Sequence, residues 1–140
     1  METSFYVIKP HGLAFREEIR AMIKGAGLTI TESKELVMHR RVLEIIYSDL
    51  PEKYRDAVFR QFNGRSVEMG LVMGENAVDE LLQITGTELD PVDCVPGSIR
   101  FKFGGRVPSM IDGVRCYANV IHRPRNNAEA EIGTKVFRML

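Results

Sequence analysis

Val67, Met69, Leu71 and Met73 alternate with their neighbours in strict period two, and this is the clearest strand pattern in the chain. A second strand is predicted at Ser4 to Ile8, where Phe5, Tyr6, Val7 and Ile8 run together until Pro10 and Gly12 stop them. Phe15, Ile19, Met22 and Ile23 then recur at helical spacing, and Gly25 and Gly27 end that helix. Leu28, Ile30 and the run Leu36-Val37-Met38 suggest another strand, carried through polar Thr31, Glu32, Ser33 and Lys34. His39 to Leu50 reads as a helix with Val42, Ile45 and Ile46 inward. Pro51 opens a further helix whose apolar face is Tyr54, Val58 and Phe62, and Asn63-Gly64 signals a turn after it. Ala77, Val78, Leu81 and Leu82 mark one more helix, ending near Gly86.

Beyond Gly86 the pattern changes. Pro91, Pro96, Gly97, Gly104, Gly105, Pro108 and Gly113 punctuate the stretch from Thr87 to Asp112, which reads as a long structured loop. Loops of that length inside a compact domain are uncommon and often functional. A strand is expected at Tyr117 to Ile121, then a helix from about Asn126 to Ile132. Stripped of extras the order is βαββαβ, an α+β ferredoxin-like antiparallel sheet with helices on its faces.

The 140 residues fit one domain, 1–140, large enough for a real core. Lys plus Arg and Asp plus Glu each number 19, so the formal net charge is zero and binding of nucleic acid by bulk charge is not expected. No apolar run is long enough for a membrane span, and the opening Met1-Glu2-Thr3-Ser4 lacks a basic-then-apolar leader. Cys94 and Cys116 form neither a metal-type cluster nor a disulfide framework, and the expected compartment is the cytoplasm.

The candidate chemistry lies at the two ends of the chain. Val7-Ile8-Lys9 delivers a lysine at the end of a strand, and Asn119-Val120-Ile121-His122 delivers a histidine. A lysine there is most often a solvated strand end; its functional reading is an ammonium that neutralises phosphate oxygens. A single histidine is more often structural than catalytic, yet a neutral imidazole can accept a phosphoryl group and pass it on. Arg100, in the long loop, has a guanidinium fork suited to phosphate, with a solvated loop cation as the alternative. Arg115, Arg123 and Arg125 add positive charge around His122. Tyr47 and Tyr54 flank the corner Ser48-Asp49-Leu50-Pro51, where they either pack in the core or meet a base and a phosphate. Glu131, or Glu129 on the same helix, is a carboxylate that could orient the imidazole; solvated helix positions are the usual reading. Phosphate-loop, G-x-G-x-x-G, Cys-x-x-Cys and His-Glu-x-x-His motifs are all absent, so a nucleotide site here must be built from side chains.

Taken in order, these stretches resemble the nucleoside diphosphate kinases. Val7-Ile8-Lys9-Pro10-His11-Gly12 is similar to that family's opening Ile-Lys-Pro-Asp-Gly strand, and Tyr47-Ser48-Asp49-Leu50 to its Tyr-x-x-Leu/His corner. Gly86-Thr87, Asp90-Pro91 and Pro96-Gly97-Ser98-Ile99-Arg100 resemble its Gly-x-Thr…Pro-Gly-Thr-Ile-Arg loop. Asn119-Val120-Ile121-His122 resembles its Asn-x-x-His signature, and Ala128 to Ile132 the helix that follows. The likeness covers nearly the whole chain. It implies a two-step exchange in which His122 takes the γ-phosphate of a nucleoside triphosphate as phosphohistidine and a nucleoside diphosphate collects it. Lys9 would contact phosphates, Tyr47 would sit near the transferring group and Arg100 would hold a terminal phosphate. Asn119 would bind the sugar hydroxyl, Tyr54 would stack on the base, Thr87 would fall in the nucleotide loop and Glu131 would bond to the nucleophilic ring. Mg²⁺ would bridge the phosphates, and a homo-oligomer is implied.

The chain also departs from that pattern. Leu82 or Gln83 stands where the family has an Arg, and His11 where it has an Asp; the loop Thr aligns with Thr87 or Leu89. After His122 comes Arg123-Pro124-Arg125 in place of Gly/Ala-Ser-Asp. Arg123, Arg125, Arg115 or Lys102 is expected to supply the missing charge. The alternative function is a catalytically impaired nucleotide-binding or interaction module on the same fold.

Overall fold

A computed structural model describes residues 1–62 and 64–140. Asn63, half of the predicted Asn63-Gly64 turn, lies outside the described residues. The elements are β1 (Glu2–Ile8), a 3-10 turn (Pro10–Phe15), α1 (Arg16–Gly25), β2 (Thr29–Val37), α2 (Arg40–Ile46), α3 (Glu52–Phe62), β3 (Ser66–Gly74) and α4 (Ala77–Thr85). A short 3-10 turn (Pro91–Asp93), α5 (Ile99–Phe103), β4 (Ser109–Ile111), β5 (Val114–Cys116), β6 (Ile121–His122) and α6 (Asn127–Met139) follow.

The main sheet has the order β2-β3-β1-β6, every neighbour antiparallel. This is the ferredoxin-like α+β arrangement expected from the βαββαβ reading. β1 and β3 lie inside the sheet, so β3 is buried on both faces despite its alternating sequence. One set of alternate side chains (Phe5, Val7, Val67, Met69 and Leu71) packs under Leu43, Ile46, Phe62 and Phe137 of α2, α3 and α6. The other set (Tyr6, Ile8 and Val72) packs under Ile19 and Ile23 of α1, Leu81 of α4 and Ile99 of α5. Period two thus sorts each central strand between two cores rather than between core and water. The charged member of the second face is Glu68. It is buried, accepts from the Tyr6 hydroxyl at 2.7 Å and is ion-paired with Arg20.

Four expectations need correction. The stretch from Thr87 to Asp112 is not a plain loop: it holds the 3-10 turn, α5 and the first strand of a small β4–β5 hairpin. Ser98 caps α5 by accepting from the Phe101 N–H, and Asp90 caps the 3-10 turn through Val92 N–H, so local side-chain bonds organise the Pro- and Gly-rich stretch. The strand predicted at Tyr117 to Ile121 shrinks to Ile121–His122, because Val120 adopts the left-handed φ of +63° and breaks the ladder. The last helix runs on to Met139, where Val136 and Phe137 join the first core. In α2, Val42 and Ile46 are buried but Ile45 is exposed.

Candidate functional site

The pairing of β6 with β1 sets His122 opposite Val7 and Ile121 opposite Ile8. The ends of the chain therefore meet: Lys9 leaves β1 just where His122 enters the sheet. The N–H of Lys9 donates to the carbonyl of Val120 at 2.8 Å, and the N–H of Val120 donates to Nε2 of His11 at 3.1 Å. A β-branched residue in the left-handed region is strained by about 1–3 kcal/mol, and such strain persists where surrounding contacts over-determine it. Two hydrogen bonds and the full burial of the Val120 side chain hold it here. His11 thus fills, as an acceptor, the turn position noted above for its unusual residue. Burial and nearby Lys9 push it down to about 4, so it stays neutral and can accept.

The Lys9 ammonium is buried and donates to Oδ1 of Asn119 at 2.6 Å. Asn119 in turn donates to the carbonyl of Leu89 at 3.2 Å. Desolvation, then the neighbouring Arg100, lowers Lys9 to about 7. The imidazole of His122 lies between two aromatic rings, Tyr47 at 4.5 Å and Phe5 at 5.9 Å between centroids. Burial holds it well below the ordinary histidine value, and the charges of Lys9, Arg123, Arg100 and Arg125 act the same way. At neutral pH the ring is therefore an uncharged base with a free lone pair in a cationic surrounding.

Arg100 is buried, its Nε and Nη2 donating to the carbonyl of Ile121 at 3.2 and 2.8 Å and its Nη1 to that of Glu88 at 2.8 Å. It staples the loop at Glu88 to the strand that ends in His122. Arg123, next in the chain, is also buried and donates from Nη2 to the carbonyl of Gly86 at 2.8 Å; its Nε–H has no partner. The hydroxyl of buried Tyr47 is likewise unbonded. Arg100 and Arg123 are the cations that act on that hydroxyl.

Beside this cluster a cleft of about 90 Å³ opens between Lys9, Asn119, Tyr54, Leu89 and Arg115. Tyr54 is half exposed at its rim, a position open to a flat ligand. Lys9, Tyr47, Arg100, Asn119 and His122 are thus brought together, with Tyr54 across the cleft.

Two predicted residues are not. Thr87 is exposed on the loop, and Leu89, the other alignment considered, lines the cleft instead. Glu131 points to solvent and pairs with Lys135 one turn on, because it falls on the outer side of α6; no hydrogen bond joins it to His122. Glu129 is taken up by Arg125, which also binds Asp49. Of the proposed substitute cations, Lys102 lies over the Phe103 ring, Arg115 lines the cleft and Arg125 is held at the surface by its two carboxylates. The sequence reading missed Phe5 as a ring neighbour of His122 and missed the carbonyls of Gly86, Glu88 and Leu89. Carbonyls leave no trace in residue identity.

Among the described residues no three His, Cys, Asp or Glu side chains converge to hold a metal ion. The donors at this site are cations and amides, so they do not fit a resident divalent ion. They fit an anion: three buried cations and, among the described residues, two unbonded polar groups, beside a neutral imidazole.

Comparison with known proteins shows what the chain as a whole is similar to. The family model described as nucleoside diphosphate kinase matches residues 2–138. The chain is 28% identical to the nucleoside diphosphate kinase of Nitratidesulfovibrio vulgaris over 106 residues, 74% of this chain and 76% of that one. It is also 28% identical over 134 residues to the thioredoxin domain-containing protein 3 homolog of Ciona intestinalis, covering 94% of this chain but only 19% of that much longer relative. The crystal structure of nucleoside diphosphate kinase from Encephalitozoon cuniculi superposes with a TM-score of 0.80 at 26% identity, over 98% of this chain and 88% of that one.

Proposed function

This chain belongs to the nucleoside diphosphate kinase family, and from that premise we propose that it moves the γ-phosphate of a nucleoside triphosphate to a nucleoside diphosphate through phosphohistidine at His122. The observation that carries this reading is a half-buried, uncharged imidazole on which the buried cations Lys9, Arg123 and Arg100 act. The lone pair of one ring nitrogen attacks the γ-phosphorus. The bond from phosphorus to the β,γ-bridging oxygen breaks, and its electron pair leaves with the diphosphate. The other ring nitrogen keeps its proton, and a second diphosphate reverses the step. Lys9 and Arg100 offset the charge on the phosphate oxygens, which is the main protein contribution to phosphoryl transfer.

Asn119 and Tyr54 line the cleft, where the first would bind a sugar hydroxyl and the second would offer its ring to the base. Mg²⁺ would enter as part of the nucleotide substrate, bound chiefly by phosphate oxygens and water. A homo-oligomer is part of the proposal, following the family.

One observation favours a second reading, a nucleotide-binding module without turnover. Three nitrogens of Arg100 are already bonded to backbone carbonyls. Incubation with γ-labelled ATP and Mg²⁺ separates the two. The kinase reading expects an acid-labile, base-stable label on wild type, lost in His122→Ala and discharged by added nucleoside diphosphate. ATP binding with no label on wild type would overturn it and leave the module.

A further inference from the structure

We propose that Arg123 grips the transferred phosphoryl group, its unpartnered Nε–H donating to a phosphate oxygen beside His122. This deepens the phosphotransfer reading and rests on it.

Arg123 is only 5% exposed, yet among the described residues it has no carboxylate partner. The contrast with Arg20 is direct, since that side chain satisfies its charge on buried Glu68. The one hydrogen bond of Arg123, to the Gly86 carbonyl, anchors Nη2 and leaves Nε–H buried and unsatisfied. Buried donors without acceptors are rare and costly. The Tyr47 hydroxyl is in the same condition, 7% exposed and unbonded, and it feels the charge of Arg123. The charges of Lys9, Arg123 and Arg100 all act on the His122 ring, and those of Arg100 and Arg123 on the Tyr47 hydroxyl; the one carboxylate that acts on Arg123, Glu129, is already bonded to Arg125. A tetrahedral dianion supplies both the acceptors and the charge.

The sequence prepares this. Arg123 follows the last residue of β6, so the ladder that fixes His122 also fixes the start of Arg123. Pro124 comes next and restricts Arg123 to extended backbone. Arg123 keeps its protons throughout; it donates hydrogen bonds while the bond to the bridging oxygen breaks and the bond to the imidazole forms.

Inorganic tripolyphosphate is the probe, because it carries the charge without the nucleoside. Calorimetry on Arg123→Ala and Arg123→Gln should show binding about 10- to 100-fold weaker than wild type, as expected for loss of a charge-assisted bond, with partial recovery in Arg123→Lys. Adenosine affinity should not change. The single-turnover rate of His122 labelling should fall by at least the same factor. In wild type, the Nε–H nuclear magnetic resonance signal of Arg123, assigned by its disappearance in the conservative Arg123→Lys, should shift downfield on saturation with tripolyphosphate. The proposal is overturned if Arg123→Gln binds tripolyphosphate as wild type does, if that signal does not move, or if wild type does not bind tripolyphosphate. Arg123-dependent binding by a wild type that never labels would sink the transfer reading and leave the anion grip standing.

Discussion

Lys9 and Asn119 stand 110 positions apart in the chain, and the ammonium of the first donates to the amide oxygen of the second at 2.6 Å. The lysine is lowered to about 7 by burial and by Arg100, so the free protein sheds this charge as the pH rises through neutrality. A bound polyphosphate favours the charged form. The apparent kcat/KM for nucleoside triphosphate should therefore decline on the alkaline side of about pH 7, the limb that reports free-enzyme ionisation. Binding above that pH should take up a proton, seen by calorimetry in buffers of different ionisation enthalpy. The acid limb, set by His122, should lie well below 6.5. A rate that holds level from neutrality to about pH 9 would refute the assignment to Lys9.

Tyr47 tests whether a buried hydroxyl is kept for ligand rather than for stability. Its ring fills the core beside His122, while its oxygen bonds to nothing. Tyr47→Phe removes an unsatisfied group and keeps the packing, so stability should change by less than about 1 kcal/mol or rise slightly. Phosphotransfer should fall about tenfold, the effect of one lost hydrogen bond to a charged group. Tyr47→Ala should cost about 3–5 kcal/mol through the cavity alone. Urea titration and a coupled phosphotransfer assay on the same preparations separate the two effects.

The site also makes the fold acid-sensitive. His11 is held at about 4 and His122 well below 6.5, both chiefly by burial, whereas the unfolded chain titrates these groups near 6.5. Between those values the unfolded state binds more protons, so stability is fully present above 6.5 and is lost as the pH falls toward 4. His11 has a specific consequence: on protonation its Nε2 can no longer accept from Val120, and the left-handed residue loses one of the two hydrogen bonds that hold it. Urea midpoints should drop steadily between about pH 6.5 and 4.5. His11→Asn, which keeps an acceptor and does not titrate, should flatten part of that slope; an unchanged slope would remove His11 from the account.

Much of this was legible in the residues, for identifiable reasons. Strands β1 and β3 announced themselves through their apolar residues, and Lys9 and His122 because each lies at the end of such a strand; Asn119 was legible only through its place in Asn-x-x-His. The convergence of Lys9, Tyr47, Arg100, Asn119 and His122 follows from the resemblance of ordered motifs. Glu131 failed because a carboxylate a helical stretch beyond a histidine has no fixed orientation until the helix is docked, and α6 turns that position outward to Lys135. Thr87 failed because a one-residue ambiguity in a loop changes which side chain faces the cleft. The strand at Tyr117 to Ile121 failed on Val120, whose β-forming side chain gives no hint of a positive φ. Tertiary contacts from His11 and Lys9 impose that conformation against local propensity.

Gly133, the residue after the Ala128 to Ile132 stretch, is coupled to the His122 ring through Phe5. It lies in the buried face of α6, and a Cβ there would fall inside the ring of Phe5. Phe5 is part of central strand β1, and its ring stands 5.9 Å from the His122 imidazole. Gly133→Ala must therefore push α6 off the sheet or turn the Phe5 ring toward His122. The first cost is overpacking, about 1–3 kcal/mol, partly offset by the better helix propensity of alanine, about 1 kcal/mol. The second displaces the nucleophile, and small misplacements of reacting groups cost up to about a hundredfold in rate. Gly25→Ala is the matched control, since a Cβ there meets nothing within 4 Å. Thermal unfolding and His122 labelling should both suffer in Gly133→Ala and neither in Gly25→Ala. If Gly133→Ala loses stability but labels at the wild-type rate, the ring of Phe5 does not position His122.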